Sequence, residues 1–214
     1  MEYTDEVRAA VVAHRRDLVT LLAELDPGQW DGPTLCAGWR VREVVAHITM
    51  AFRTSPGRLM LDLVRAGGRF DRMADRSARR AAAAMSHEQL LAALRDNITH
   101  PWTPPGGGPA GALAHEVIHG LDVTVGLGLG HRVPLDRLSL VLVGLRPRNI
   151  AYFGADLTGV QLQATDLDWR HGTGTPLRAT AQDLLLVLSG RRLPPGRLVG
   201  DAADRFTDRS ADRR

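Results

Sequence analysis

The chain has 214 residues, 44% of them hydrophobic, which is enough for one large or two modest domains with buried cores. No apolar run approaches the length of a membrane span, and no apolar segment follows the acidic N-terminus as it would in a signal peptide. All 27 basic residues are arginine, yet the net charge is only +3, which disfavours nucleic-acid binding. The single cysteine, Cys36, excludes an internal disulfide. We expect a cytoplasmic protein with no nucleic-acid or membrane partner.

Helical periodicity dominates the first 125 residues. Apolar stripes and their end signals predict four helices, at Glu6–Leu25, Val41–Phe52, Asp71–Ile98 and Ala110–Val125. A capping box of Ser86 and Gln89 predicts that the third helix restarts there, and Pro56-Gly57 is expected to break or kink the second. Four amphipathic helices joined by loops predict an antiparallel bundle.

The pattern changes after Gly126, where a glycine-rich segment predicts a domain boundary. The elements predicted beyond it are a helix at Leu135–Leu145, a strand at Val160–Asp168, a buried helix at Thr180–Leu188 and a short strand at Arg197–Val199. The predicted fold class is therefore α+β. It comprises an N-terminal four-helix bundle at 1–128, a small C-terminal α/β domain at 129–207 and a charged, disordered tail at 208–214.

The fourth predicted helix carries the strongest chemical signal, because the segment from His115 to His119 reads H-E-V-I-H. Histidines four residues apart lie on one helix face, and two imidazoles there can share a metal ion. The alternative is a pair of core histidines satisfied by hydrogen bonds. The intervening glutamate and the apolar helix favour a bound divalent metal.

The same pattern is the signature of zinc peptidases, which need a third ligand. In one class this ligand is a later glutamate, but Glu116 is the last glutamate of the chain. In the other class a glycine and a histidine follow, and those positions hold Asp122 and Val125. Asp122, Asp136 and His131 could substitute only at non-standard spacings. The peptidase interpretation is therefore disfavoured.

His47 is the better third ligand, because it lies on the apolar side of the second predicted helix. A lone histidine there could equally be a satisfied core residue. Three histidines from two helices of one bundle would leave coordination positions open, which is typical of a catalytic metal site.

Two stretches now resemble a known family. The segment from Trp30 to His47, containing P-T-L-C-A-G-W and V-R-E-V-V-A-H, is followed at 115–122 by H-x-x-x-H-G-x-D. Together they resemble the mycothiol-dependent maleylpyruvate isomerase-like proteins of the DinB/YfiT-like metal-binding superfamily. The stretch 169–191 is similar to the small α/β domain of that family, so the resemblance covers nearly the whole chain.

The resemblance implies a DinB-like four-helix bundle that binds Zn²⁺, or alternatively Ni²⁺ or Fe²⁺, through His47, His115 and His119. In the isomerase of that family a glutamate stands where this chain has His115. The resemblance also implies mycothiol, an actinobacterial thiol, as cosubstrate. A dication with open positions would favour the thiolate of that thiol, which attacks a small electrophile in an S-transfer or isomerisation reaction. The alternatives are a metal-dependent hydrolase without thiol and a non-catalytic metal-binding or sensor protein.

Four further residues are candidates for lesser roles. Glu116 is a tentative general base or else a structural contact, and Asp122 could orient a histidine N–H or form a salt bridge with an arginine. Arg191 could bind a carboxylate of the substrate or thiol, or cap its helix. Cys36 could reach the metal or fill a small apolar space. The chain is expected to be a monomer or a homodimer.

Overall fold

The computed structural model describes residues 2–208 and divides into two compact units, Met1–Leu129 and Gly130–Arg214. The described part contains ten α-helices and a three-stranded sheet, so the protein is helix-rich with a small β component. The tail predicted to be disordered, 208–214, lies outside the described residues except for Asp208. Within residues 2–208 no helix combines the length and the apolar character needed to cross a membrane.

The first unit is helical. Its α-helices are α1 (Glu2–Ala23), α2 (Val41–Ile48), α3 (Met50–Arg53), α4 (Pro56–Arg65), α5 (Phe70–Ala84), α6 (His87–Arg95) and α7 (Gly108–Gly126). The first and last predicted helices are confirmed as α1 and α7. The predicted restart is also confirmed, because Ser86 caps α6 by accepting a hydrogen bond from the Gln89 backbone N–H.

The second predicted helix differs from the structure, which ends α2 before Thr49 and begins α3 just after it. The Thr49 hydroxyl donates a hydrogen bond to the Val45 carbonyl, at 2.8 Å, as side chains that bend helices do. Pro56 is the first residue of α4, where proline is favoured because its missing N–H has no intrahelical partner. The proline therefore marks the start of a helix that periodicity did not predict.

Packing in the first unit brings α1 along α7, and α2 against α5, α6 and α7. The core between them is formed by apolar side chains that are almost fully buried: Leu18, Leu22, Trp30, Val41, Val44, Val45, Ile48, Leu90, Leu94 and Val123. These residues include Leu18 and Leu22 from the apolar stripe of α1, and Val44, Val45 and Ile48 from that of α2. The packing places the second and fourth predicted helices, here α2 and α7, in direct contact.

The second unit contains α8 (Leu135–Gly144), α9 (Pro147–Phe153), β1 (Val160–Ala164), β2 (Arg170–His171), β3 (Thr175–Ala179) and α10 (Ala181–Leu188). The sheet order is β2-β1-β3, with β1 antiparallel to β2 and parallel to β3. The predicted helices α8 and α10 are confirmed. The predicted strand β1 ends four residues early, and the predicted strand at 197–199 is reduced to one bridge between Val199 and Arg178. Periodicity did not predict α9, β2 or β3.

Candidate metal centre

Three histidines converge where α2 meets α7. His115 and His119 lie one turn apart on α7, and their ring centroids are 4.8 Å apart. His47, in the last turn of α2, is 8% exposed, and its Nε2 atom lies 3.0 Å from Nε2 of His115. Its ring centroid is 4.9 Å from that of His119. The structure therefore brings together the three residues that the sequence proposed as ligands.

The electrostatics of this cluster favour a neutral imidazole at His115. Burial, together with the neighbouring His119 and His47, holds the pKa of His115 well below its usual range. Only one proton can lie between the facing Nε2 atoms of His47 and His115, so at least one of these nitrogens presents a lone pair to the other ring. Each residue offers one ligand atom, and these atoms lie within 4.8 Å of one another. Imidazole nitrogens at this separation are close enough to hold one divalent transition-metal ion.

Asp122 lies beside this cluster, one turn after His119 on α7. Its Oδ2 atom is 2.9 Å from Nδ1 of His119, and its side chain is fully buried. This leaves Nε2 of His119 as the nitrogen available to a cation. Cys36 lies in the loop before α2, and its thiol donates a hydrogen bond to the same Oδ2 atom at 3.0 Å.

Glu116 points to another side of α7. Both of its carboxylate oxygens accept hydrogen bonds from Arg15 of α1, at 2.6 to 3.0 Å, and both side chains are almost completely buried. Burial raises the pKa of Glu116, and the ion pair with Arg15 opposes that change. Because Arg15 engages both oxygens, the surroundings of Glu116 support a structural contact and do not support the tentative role of general base.

Two tryptophans border the histidine cluster. The Trp39 ring centroid is 5.2 Å from that of His47, and the indole N–H donates to Asp75 of α5 at 2.8 Å. The Trp102 ring meets His115 edge to face at 5.4 Å. The sequence pattern gave Trp102 no role. Its position in a proline-rich loop could have drawn attention, but no spacing connects it to His115.

Arg191 lies in the second unit, just after α10, and donates a hydrogen bond to the Ser189 carbonyl at 3.1 Å. A contact with the last carbonyls of a helix is the alternative that the sequence left open for this residue. Its role in binding a carboxylate stays a prediction.

Known proteins share part of this sequence and the fold. Residues 11–101 match the family model of the mycothiol maleylpyruvate isomerase N-terminal domain. This range includes His47 and ends before α7. No curated protein matches the chain.

Two solved structures resemble the chain. The crystal structure of the mycothiol-dependent maleylpyruvate isomerase is 11% identical, with a TM-score of 0.58, and the match covers 94% of this chain and 93% of that one. A histidine-to-alanine mutant of a mycothiol-dependent maleylpyruvate isomerase matches with 13% identity, a TM-score of 0.48 and the same coverage. At such low identity, the first structure supports a shared fold and leaves the reaction open.

Proposed function

We propose that this chain, which belongs to the mycothiol-dependent maleylpyruvate isomerase-like family, is a metal-dependent enzyme that activates a low-molecular-weight thiol. The thiol would be mycothiol, and the partner substrate a small electrophile. The observation that carries the proposal is the convergence of His47, His115 and His119 at the contact of α2 and α7. We also propose that the predicted helices form a DinB-like four-helix bundle around this site.

The three histidines would hold the cation, which is Zn²⁺ in our proposal, with Ni²⁺ or Fe²⁺ as alternatives. When bound, the cation supplies Lewis acidity that stabilises the thiolate, the nucleophilic form of a thiol. His115 supports this assignment because its environment keeps it neutral, as a ligand must be. Asp122 would keep the His119 ring oriented by accepting its Nδ1 hydrogen.

The protein's own side chains would then define the reaction space. Trp39 and Trp102 adjoin His47 and His115, so they would provide apolar walls that limit access of water. The thiolate sulfur would form a bond to an electrophilic carbon of the substrate. In this conjugate addition, the π electrons of the substrate C=C bond move onto the adjacent carbonyl group as an enolate. Rotation about the resulting C–C single bond, followed by expulsion of the thiolate and re-formation of the double bond, gives cis–trans isomerisation. Protonation of the enolate from solvent with the C–S bond retained gives S-transfer. Glu116 takes no part in proton transfer, because Arg15 engages its carboxylate.

Two successive experiments, on metal content and then on thiol chemistry, test the proposal. The purified protein should contain one divalent cation per chain by elemental mass spectrometry, and the variant with all three histidines changed to alanine should contain none. A His87→Ala variant is the matched control, because His87 begins α6 and is outside the cluster. Retention of the cation by the triple variant would exclude the site.

The reaction is then tested with mycothiol and model electrophiles, with adducts and isomers measured by mass spectrometry. We expect adducts or isomers to form faster than in the uncatalysed reaction, and we expect this acceleration to depend on both the cation and the histidines. Turnover of esters or amides without thiol would favour the hydrolase alternative. Stoichiometric cation without turnover of either substrate class would favour a binding or sensor protein.

A further inference from the structure

The loop before α2 is held against the C-terminal half of α7. The Leu35 N–H donates to the Asp122 carbonyl at 3.0 Å. The Thr34 hydroxyl accepts the Cys36 N–H at 3.2 Å and donates to the Trp39 carbonyl at 2.8 Å. These bonds fix the backbone on both sides of Cys36, so the direction of its side chain is determined by the fold.

Close packing on α7 restricts the same loop. A Cβ atom on Gly126 would lie 2.5 Å from Cα of Thr34 and 2.8 Å from the Pro33 carbonyl oxygen. Only glycine therefore allows this approach of the two backbones without a shift. The loop therefore packs closely against α7, near Cys36 in the loop and Asp122 on the helix.

Cys36 and His119 both contact Oδ2 of Asp122. The Cys36 thiol lies 3.0 Å from Oδ2 of Asp122, and Nδ1 of His119 lies 2.9 Å from it. Sγ and Nδ1 are 3.7 Å apart, so both atoms converge on one buried carboxylate oxygen. The N···O distance of 2.9 Å is that of an N–H···O hydrogen bond, and the sulfur is within hydrogen-bond distance of the same oxygen.

We infer that Cys36 is a positioning residue, whose thiol orients the Asp122 carboxylate and thereby holds His119 with its proton on Nδ1. Nε2 of His119 then presents its lone pair toward the cation-binding space shared with His47 and His115. Cys36 acts through Asp122 and does not touch the cation, because its sulfur lies on the Nδ1 side of the ring. This inference rests on the proposed function, since it assigns the residue a purpose at the same cation site.

The tautomer of His119 is the direct readout, and it requires neither cation nor substrate. Long-range ¹H–¹⁵N spectra of the metal-free protein distinguish Nδ1–H from Nε2–H imidazoles. We expect the Nδ1–H form for His119 in the wild type and a larger Nε2–H fraction in Cys36→Ala. Cys36→Ser is the matched control, because its hydroxyl also donates a hydrogen bond and should retain most of the wild-type signal.

Cation affinity gives the second readout, measured for Zn²⁺ by competition with a chromophoric chelator. Loss of an outer partner of a metal ligand lowers affinity by roughly 10–100-fold, which we expect for Asp122→Ala. Cys36→Ala should cost less, about threefold to tenfold, because it removes only an indirect contact. In the Asp122→Ala background the Cys36 substitution should have no further effect, as expected when one residue acts through another. If Asp122→Ala does not fold, Asp122→Asn replaces it.

Three results would overturn the inference. An unchanged tautomer and affinity in Cys36→Ala would show that the thiol positions nothing. Additive effects of the two substitutions would separate Cys36 from Asp122. A thiolate-to-cobalt charge-transfer band in the wild type, lost in Cys36→Ser, would make Cys36 a direct ligand.

These results are distinguishable from failure of the proposed function. An unchanged tautomer in a protein that binds Zn²⁺ and consumes mycothiol overturns only the role of Cys36. A Cys36-dependent tautomer and affinity in a protein that transfers no thiol overturns only the reaction. Absence of Zn²⁺ binding by the wild type overturns both the proposed function and the role of Cys36, because an oriented His119 would then bind no cation.

Discussion

Two polar clusters on α7 differ in how completely their buried polar atoms are hydrogen-bonded. On one side Glu116 meets Arg15, whose remaining donor Nη1 is taken up by carbonyl oxygens of Asn97, Ile98 and His100. On the other side His115 and His119 face His47, and the Nε2 atoms of His47 and His115 lie 3.0 Å apart. Nδ1 of His115 is buried there without a hydrogen-bond partner among residues 2–208.

The difference separates a structural use of polar residues from a functional one. Neighbouring members of one five-residue motif, Glu116 and His115, fall into different clusters because successive residues of a helix point about 100° apart. The ion pair fixes α1 against α7 and satisfies its own charges. Under the proposed function, a cation would complete the histidine cluster. Within α7, incomplete satisfaction of buried polar groups therefore distinguishes the histidine side of the helix from the Glu116 side.

The largest expected effect comes from breaking the ion pair. Glu116→Gln leaves the buried Arg15 guanidinium without its counter-ion, and we expect the free energy of unfolding to fall by about 3–5 kcal/mol. Urea denaturation of the metal-free protein measures this change. Zn²⁺ affinity should stay within about threefold of wild type, because Glu116 does not face the histidines.

A charge-free replacement of the pair is the matched control. The double variant with Arg15→Met and Glu116→Leu removes both buried charges and should regain much of the stability lost by Glu116→Gln. A Glu116→Gln protein that keeps its stability but loses Zn²⁺ binding or turnover would contradict the comparison. It would return Glu116 to the role of general base.

The next largest effect is expected on the histidine side. His115→Ala removes a ligand, so we expect Zn²⁺ affinity to fall by at least about 100-fold, beyond the range typical of outer contacts. Circular dichroism of the metal-free variant should show an intact helical fold. His115→Glu is the sharper control, because a carboxylate is also a zinc ligand and should restore much of the binding. Equal affinities of the alanine variant and the wild type would contradict a site at His115.

Local patterns predicted the site residues better than they predicted their partners. The spacing of His115 and His119 on an apolar helix was sufficient to place both on one face. His47 followed from the apolar side of its helix and from the family resemblance. The Arg15–Glu116 pair, whose members are 101 residues apart, could not be predicted because only the packing of α1 on α7 brings them together.

The fold was likewise predictable from the sequence where an element has a periodic apolar stripe or a helix-capping motif. The stripe of α1 and the capping box at Ser86 are short-range features, and both predictions are confirmed. The break between α2 and α3 lies at Thr49, whose hydroxyl bonds the Val45 carbonyl, and it leaves the apolar stripe unchanged, so periodicity could not show it. The two-residue strand β2 is too short for any alternation to be visible, and it exists through its pairing with β1.

A smaller effect is expected where the loop before α2 packs on α7. Gly126→Ala places a methyl group 2.5 Å from Cα of Thr34, and relief of this clash should cost about 1–3 kcal/mol of unfolding free energy. Because the displaced loop carries Cys36, Zn²⁺ affinity should also fall, unlike in Glu116→Gln. Gly28→Ala is the control, since a Cβ atom there meets nothing within 4 Å. A Gly126→Ala protein with wild-type stability would contradict the tight packing.

The smallest effect should be optical and should report on the histidine side alone. Two of the four tryptophans, Trp39 and Trp102, adjoin ligands of the proposed cation. Binding of Ni²⁺ or Co²⁺, which quench nearby indoles through their partly filled d shells, should therefore remove part of the tryptophan emission. Zn²⁺, with a filled shell, should bind without comparable quenching. Trp102→Phe should lose the part of the quenching that comes from the indole beside His115 and keep the part that comes from Trp39. Quenching that persists in His115→Ala, with unchanged affinity for the ion, would show that the ion binds elsewhere.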